Sequence, residues 1–90
     1  MDLNDLRQKL NEIDAKLLPL LEERMTCSSL VGEYKKSNGI PILDEAREQE
    51  ILKKIREKTE NEALKDYTEE LYRQIMRVSR EYQAEIINNK

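Results

Sequence analysis

The sequence predicts an all-α fold of three helices, and three observations carry that expectation. Apolar residues recur at spacings of three and four along two long stretches, which is the signature of helices with one apolar stripe. Breakers gather at Ser37-Asn38-Gly39-Ile40-Pro41, and a polar link stands at Glu60-Asn61-Glu62. The charged fraction, 39%, is well above the roughly one-quarter of an average soluble protein and suits exposed helical faces.

The first helix is expected over about residues 3–36. Its seam runs Leu3, Leu6, Leu10, Ile13, Leu17, Leu20, then past Arg24 to Cys27, Val31 and Tyr34, in a heptad-like pattern. Pro19 lies inside it and removes one backbone donor, but the seam keeps phase, so a single bent helix is expected. Gly39 can adopt the left-handed conformation that ends a helix. A second helix is expected over about 44–59, with Asp44 as N-cap, Glu45 and Glu48 at the positive end of the dipole, and Ile51, Leu52 and Ile55 as its stripe. A third, over about 63–88, carries Leu64, Tyr67, Leu71, Ile75, Val78, Tyr82 and Ile86. The whole, residues 1–90, is read as a single domain.

At 1.5 Å per residue the first helix would be ~50 Å long, roughly twice the width of a compact domain of this size. Domains this small also bury only about two-thirds of their unfolded surface. A second chain would supply the missing cover.

Composition narrows function. The net charge is −3 with both signs dispersed, which leaves no basic face for nucleic-acid phosphates. No apolar run approaches the ~20 residues of a membrane span, and MDLNDLRQ has neither the basic start nor the apolar stretch of a signal peptide, so a cytoplasmic protein is expected. Cys27 is the only cysteine and there is no His, so a Cys/His metal set and a His general base are both excluded. Cys27 is read as a small core residue.

Three departures from the apolar pattern stand out. Arg24 occupies a seam position, where an arginine needs an anionic partner or a route to solvent. Lys35, eleven residues on, returns to within about 20° of Arg24, with Ser28 and Val31 between them, so two cations line one groove. On the third helix a companion stripe, Tyr72, Met76, Ser79, Gln83, Ile87, is interrupted by two uncharged polar residues, which could equally be a satisfied hydrogen-bonding pair. Asp44, Arg47 and Glu48 cluster at the start of the second helix, where a solvated capping motif is the plainer explanation.

Taken in order, Leu6-Arg7, Ile13-Asp14-x-x-Leu17-Leu18-x-Leu20-Leu21-x-Glu23-Arg24, Val31-Gly32-x-x-Lys35, Pro41-Ile42-x-Asp44-x-x-Arg47-Glu48 and Ile75-Met76-x-x-Ser79-x-x-x-Gln83 resemble the all-helical chorismate mutase family. The resemblance covers most of the chain. It implies rearrangement of chorismate to prephenate in phenylalanine and tyrosine biosynthesis, without cofactor or metal. It implies that Arg24 and a second subunit's Arg7 hold the two substrate carboxylates, and that Lys35 and Gln83 donate to the ether oxygen. Glu48 and the backbone near Asp44 would bind the ring hydroxyl, Arg47 and Ser79 would complete the polar wall, and Val31, Ile51 and Met76 would shape the apolar part. Met25 departs from the family, many members of which have a second Arg there, and so does Pro19, where a helix former is usual.

Within one helix Arg7 and Arg24 would lie ~25 Å apart along the axis and about 100° apart around it, too far to meet at one small ligand. An antiparallel partner removes both this separation and the overlong helix, so an intertwined antiparallel homodimer with two equivalent sites is expected. Two other readings remain at this level: an isochorismate–pyruvate lyase of the same fold, and a non-catalytic helical dimerisation or regulatory module. Domains of this family also occur fused to other shikimate-pathway enzymes, and the chain could be part of such a protein.

Overall fold

The structure, a computed structural model, describes residues 1–88, so the last two positions of the expected 1–90 domain lie outside the described residues. It is all-helical: α1 (Leu3–Ser37), α2 (Glu45–Lys58) and α3 (Lys65–Asn88), with a 3-10 turn at Glu62–Leu64 leading into α3, and no strand among the described residues.

Each boundary has a local cause. Asp2 caps α1 reciprocally with Asp5: the Asp5 N–H donates to Asp2 Oδ1 at 2.9 Å and the Asp2 N–H to Asp5 Oδ2 at 3.1 Å, so orphan donors of the first turn are satisfied. The helix is unbroken through Pro19. It stops where Gly39 turns to φ 64° and the Ile40 N–H reaches back to the Lys35 carbonyl at 2.8 Å. Asp44 caps α2 by accepting the Arg47 N–H at 3.0 Å. At its far end the Thr59 hydroxyl bonds the Ile55 carbonyl at 2.7 Å and pairs with the Thr68 hydroxyl at 2.8 Å, which ties the end of α2 to the start of α3.

α3 is the central element, and both α1 and α2 pack against it. The buried apolar side chains are Leu52 and Met76; the other buried positions are Ser28, Gly32, Ser79 and Gln83. Gly32 is where α1 and α3 cross closely: a Cβ there would stand 3.0 Å from Gln83 Cγ and 3.1 Å from its Cβ. A larger residue would push the helices apart. The molecule measures 53 × 26 × 14 Å, and α1 accounts for its length.

The crossing of the helices decides which side chains face inward, and the expectation for Cys27 is corrected. On α3 the companion stripe is the inner one: Met76, Ser79 and Gln83 are buried, while Leu64, Tyr67, Leu71, Val78 and Tyr82 of the fully apolar stripe are exposed. Cys27 is exposed rather than a core residue. Both follow from one cause. α3 meets α1 along Arg24, Ser28 and Gly32, at the polar edge of the heptad seam, so among the described residues most of the apolar seam and the apolar stripe of α3 are left uncovered.

Candidate functional site

The C-terminal half of α1, the start of α2 and the middle of α3 enclose an open cavity of about 330 Å³, which is at the lower end of the usual size for small-molecule sites. Ten of the residues singled out from the sequence line it: Arg24, Val31, Lys35, Asp44, Arg47, Glu48, Ile51, Met76, Ser79 and Gln83. They come from positions up to 59 apart in the chain, so their convergence is a product of the fold. Arg7 is the exception: it is exposed on the N-terminal half of α1, and its ~25 Å of helix from Arg24 keeps it out of this cavity.

The α1 wall carries the cations. Arg24 donates from Nη1 to Ser79 Oγ at 2.9 Å, a bond that holds its planar group across the gap between α1 and α3. It makes no ion pair among the described residues, so its charge is not spent on a carboxylate of its own chain. Lys35, about three turns further on, donates from Nζ to the Ile42 carbonyl at 2.7 Å and pins the connecting loop over the end of the cavity. The backbone dipole orients the ammonium but leaves its charge uncompensated, and two more donor hydrogens remain for a ligand.

The α3 wall carries neutral polar groups. Gln83 donates from Nε2 to Ser28 Oγ at 2.9 Å, and Ser28 Oγ in turn lies 3.5 Å from the Ser79 carbonyl. The Ser79–Gln83 pair is thus not self-satisfied; each member reaches across to α1. The Gln83 amide oxygen is buried without a hydrogen-bond partner, an arrangement that costs free energy unless a ligand or water completes it.

The α2 wall carries mixed charge. Glu48 is bound through both carboxylate oxygens by Arg80 Nη1 of α3. Arg47 turns towards solvent and pairs with Glu50 at 3.3 Å. The Glu50 carboxyl is held below its ordinary value, first by its hydrogen bond from Lys54 and by that lysine's charge, then by Arg47. Asp44 serves as the cap and is exposed.

Four further residues line the cavity: Cys27, Ser28, Ile42 and Arg80. Ser28 was visible as the residue between Arg24 and Lys35, but its bond to Gln83 was not. Arg80 gave no signal, because a charged residue on a helix with this composition looks like any solvated one. Among the described residues no group of His, Cys, Asp and Glu could hold a metal ion, and no helix is long and apolar enough to cross a membrane.

Comparison with known proteins places the chain. It is 44% identical over 54 residues to a chorismate mutase of Methanocaldococcus jannaschii, covering 60% of this chain and 54% of that protein. It is 39% identical over 54 residues to a bifunctional chorismate mutase/prephenate dehydratase of Aquifex aeolicus, covering 60% of this chain and 15% of the other. It is 34% identical over 79 residues to the T-protein of Enterobacter agglomerans, covering 87% of this chain and 21% of the other. The matched segment therefore spans about half of the first relative and 15% and 21% of the other two. The family profile described as chorismate mutase type II matches residues 6–84, which takes in α2, most of α1 and α3 and every residue of the cavity, and the chain belongs to that family.

Proposed function

We propose that this chain is a chorismate mutase, and that it rearranges chorismate to prephenate in a site shared between two copies of the chain. The observation that carries the proposal is the cavity between Arg24 and Lys35 on α1 and Gln83 on α3, with two cations unpaired by any carboxylate of the described residues.

The reaction is a Claisen rearrangement. Within one molecule the ether C–O bond breaks while a C–C bond forms, and no atom or proton is gained or lost. What accelerates it is a compact conformer held by its two carboxylates, together with donors aimed at an ether oxygen that becomes more negative in the transition state. In this reading Arg24 grips one carboxylate, for which a planar guanidinium is suited. Lys35 and Gln83 donate to the ether oxygen from opposite walls; Lys35 supplies charge and Gln83 a neutral amide hydrogen. Glu48 accepts from the ring hydroxyl, with the backbone near Asp44. Ser79 and Arg47 complete the polar wall, and Val31, Ile51 and Met76 give the ring an apolar bed.

The second carboxylate is held by Arg7 of an antiparallel second chain. This assignment draws support from the N-terminal half of α1, whose apolar seam has no cover among the described residues: Leu3, Leu6, Leu10, Ile13 and Leu17 are 45–58% exposed. A homodimer, acting in the cytoplasm on its own or as part of a longer protein, is the assembly this implies. The test is direct. Purified protein should deplete chorismate with formation of prephenate, followed by absorbance, when offered chorismate and isochorismate side by side. Turnover of isochorismate alone, or of neither, would overturn the proposal.

A further inference from the structure

The cavity is expected to take a dianion, yet it contains Glu48, whose charge would repel such a ligand. Of the charged residues lining it, four are cations (Arg24, Lys35, Arg47, Arg80) and two are anions (Asp44, Glu48). Asp44 is occupied as the cap of α2, and Arg47 is turned out to Glu50. The balance that a ligand meets is therefore set by Glu48 and the residue bound to it.

We infer that Arg80 is a charge-balancing and positioning residue of this site. Its guanidinium neutralises Glu48 and fixes the carboxylate as an acceptor for a ligand hydroxyl, which leaves the charge of Arg24 and Lys35 free for a dicarboxylate. The inference rests on the mutase proposal and deepens it. Geometry supports it in three ways. Arg80 Nη1 lies against both oxygens of Glu48, so the carboxylate plane is fixed rather than free to rotate. The two side chains are only 33% and 22% exposed, so solvent screens the pair incompletely. Arg80 and Glu48 also line a second, open hollow with Leu43, Glu45, Ala46 and Gln49, so the pair sits where the two recesses meet. One turn of α3 does the joining: Ser79 bonds Arg24 and Gln83 bonds Ser28 on α1, while Arg80 between them bonds Glu48 on α2.

Arg80 touches Glu48 and acts through it. Removing its charge should therefore weaken binding of the dianion more than it slows the bound substrate. Arg80→Met keeps much of the length and loses the charge. An uncompensated charge about 7 Å from a ligand carboxylate, at an effective dielectric constant between 20 and 80, corresponds to roughly three- to fiftyfold. KM for chorismate should rise by about that factor, kcat should change less than about threefold, and prephenate affinity measured by calorimetry should fall in parallel with the rise in KM. The double variant Arg80→Met/Glu48→Gln should bind prephenate more tightly than Arg80→Met, because the offending charge is gone while the amide oxygen can still accept from the hydroxyl. Arg80→Lys, which keeps the charge, should stay within about threefold of wild type in KM and keeps the test decisive if Arg80→Met does not fold. An unchanged KM in Arg80→Met, a double variant no better than that single one, or an Arg80→Lys protein as impaired as the methionine variant would each overturn the role of Arg80 while leaving the mutase proposal standing. A wild-type protein that neither converts chorismate nor binds prephenate would overturn both.

Discussion

Residues 3–20 of α1 carry Leu3, Leu6, Leu10, Ile13, Leu17, Leu18 and Leu20, all between 45% and 61% exposed, whereas the C-terminal half of the same helix buries Ser28 at 7% exposure. The more apolar half is the uncovered one, and the more polar half is the packed one. Burial here follows the presence of a neighbouring helix, not the apolarity of the side chain. α3 covers the polar half because Gly32 lets it approach within reach of Ser28 and Arg24. Among the described residues nothing covers the other half. Folded domains rarely expose so long an apolar stripe without a partner, so in the proposed homodimer the two halves divide the work: one builds the cavity and the other supplies the interface that completes it.

That division can be broken at either end. The largest effect is expected from the exposed seam. Leu10→Asp places a charge in the middle of the proposed interface and leaves all fourteen cavity residues untouched. It should convert the dimer to monomer in sedimentation and abolish measurable turnover. A dimeric, active Leu10→Asp protein would mean that the seam is not the interface.

Lys35→Ala tests the packed half. Removal of a charge-assisted donor to a developing anion typically costs ~10²–10³ in rate, and that loss should appear in kcat, with the dimer and its helical content unchanged. Near-wild-type turnover in a folded Lys35→Ala protein would remove Lys35 from the chemistry.

A smaller and pH-dependent effect is expected at Gln83. A carboxyl in its place can donate to the ether oxygen only when protonated, since a carboxylate is an acceptor alone. An ordinary glutamic acid is protonated below about pH 4.3, so Gln83→Glu should gain activity as pH falls and lose it towards neutrality, whereas the wild-type amide does not titrate. A flat profile in the variant would show that Gln83 does not face the reacting oxygen.

The sequence revealed much of this because helices are local objects. Spacing, caps and breakers placed all three helices within about two residues, including the Asp44 cap and the left-handed Gly39. Arg24, Ser79 and Gln83 were legible as polar residues on apolar stripes, because such a break needs a cause, and Lys35 was legible from its helical register with Arg24. Which of two stripes on α3 faces inward was not legible: both have helical period, and the choice depends on where α1 crosses, at Ser28 and Gly32. The misplacement of Cys27 has the same origin. Arg80 was hidden for a different reason, since its partner Glu48 lies 32 positions away on another helix and neither residue breaks a local pattern.

The shared site is tested most directly by mixing two lesions. Arg7→Ala and Lys35→Ala homodimers should each be nearly inactive, because each lacks one member of both sites. Unfolded together and refolded at equal amounts, they should pair at random, so that about half of the dimers are mixed. In a mixed dimer one site collects both lesions and the other collects neither. About a quarter of all sites should then be native, by the same two-chain symmetry, and activity should rise to roughly one quarter of wild type. If each site were built within one chain, every site would carry a lesion. A refolded mixture no more active than the mean of its parents, with mixed dimers confirmed by mass, would contradict a site completed by the second chain.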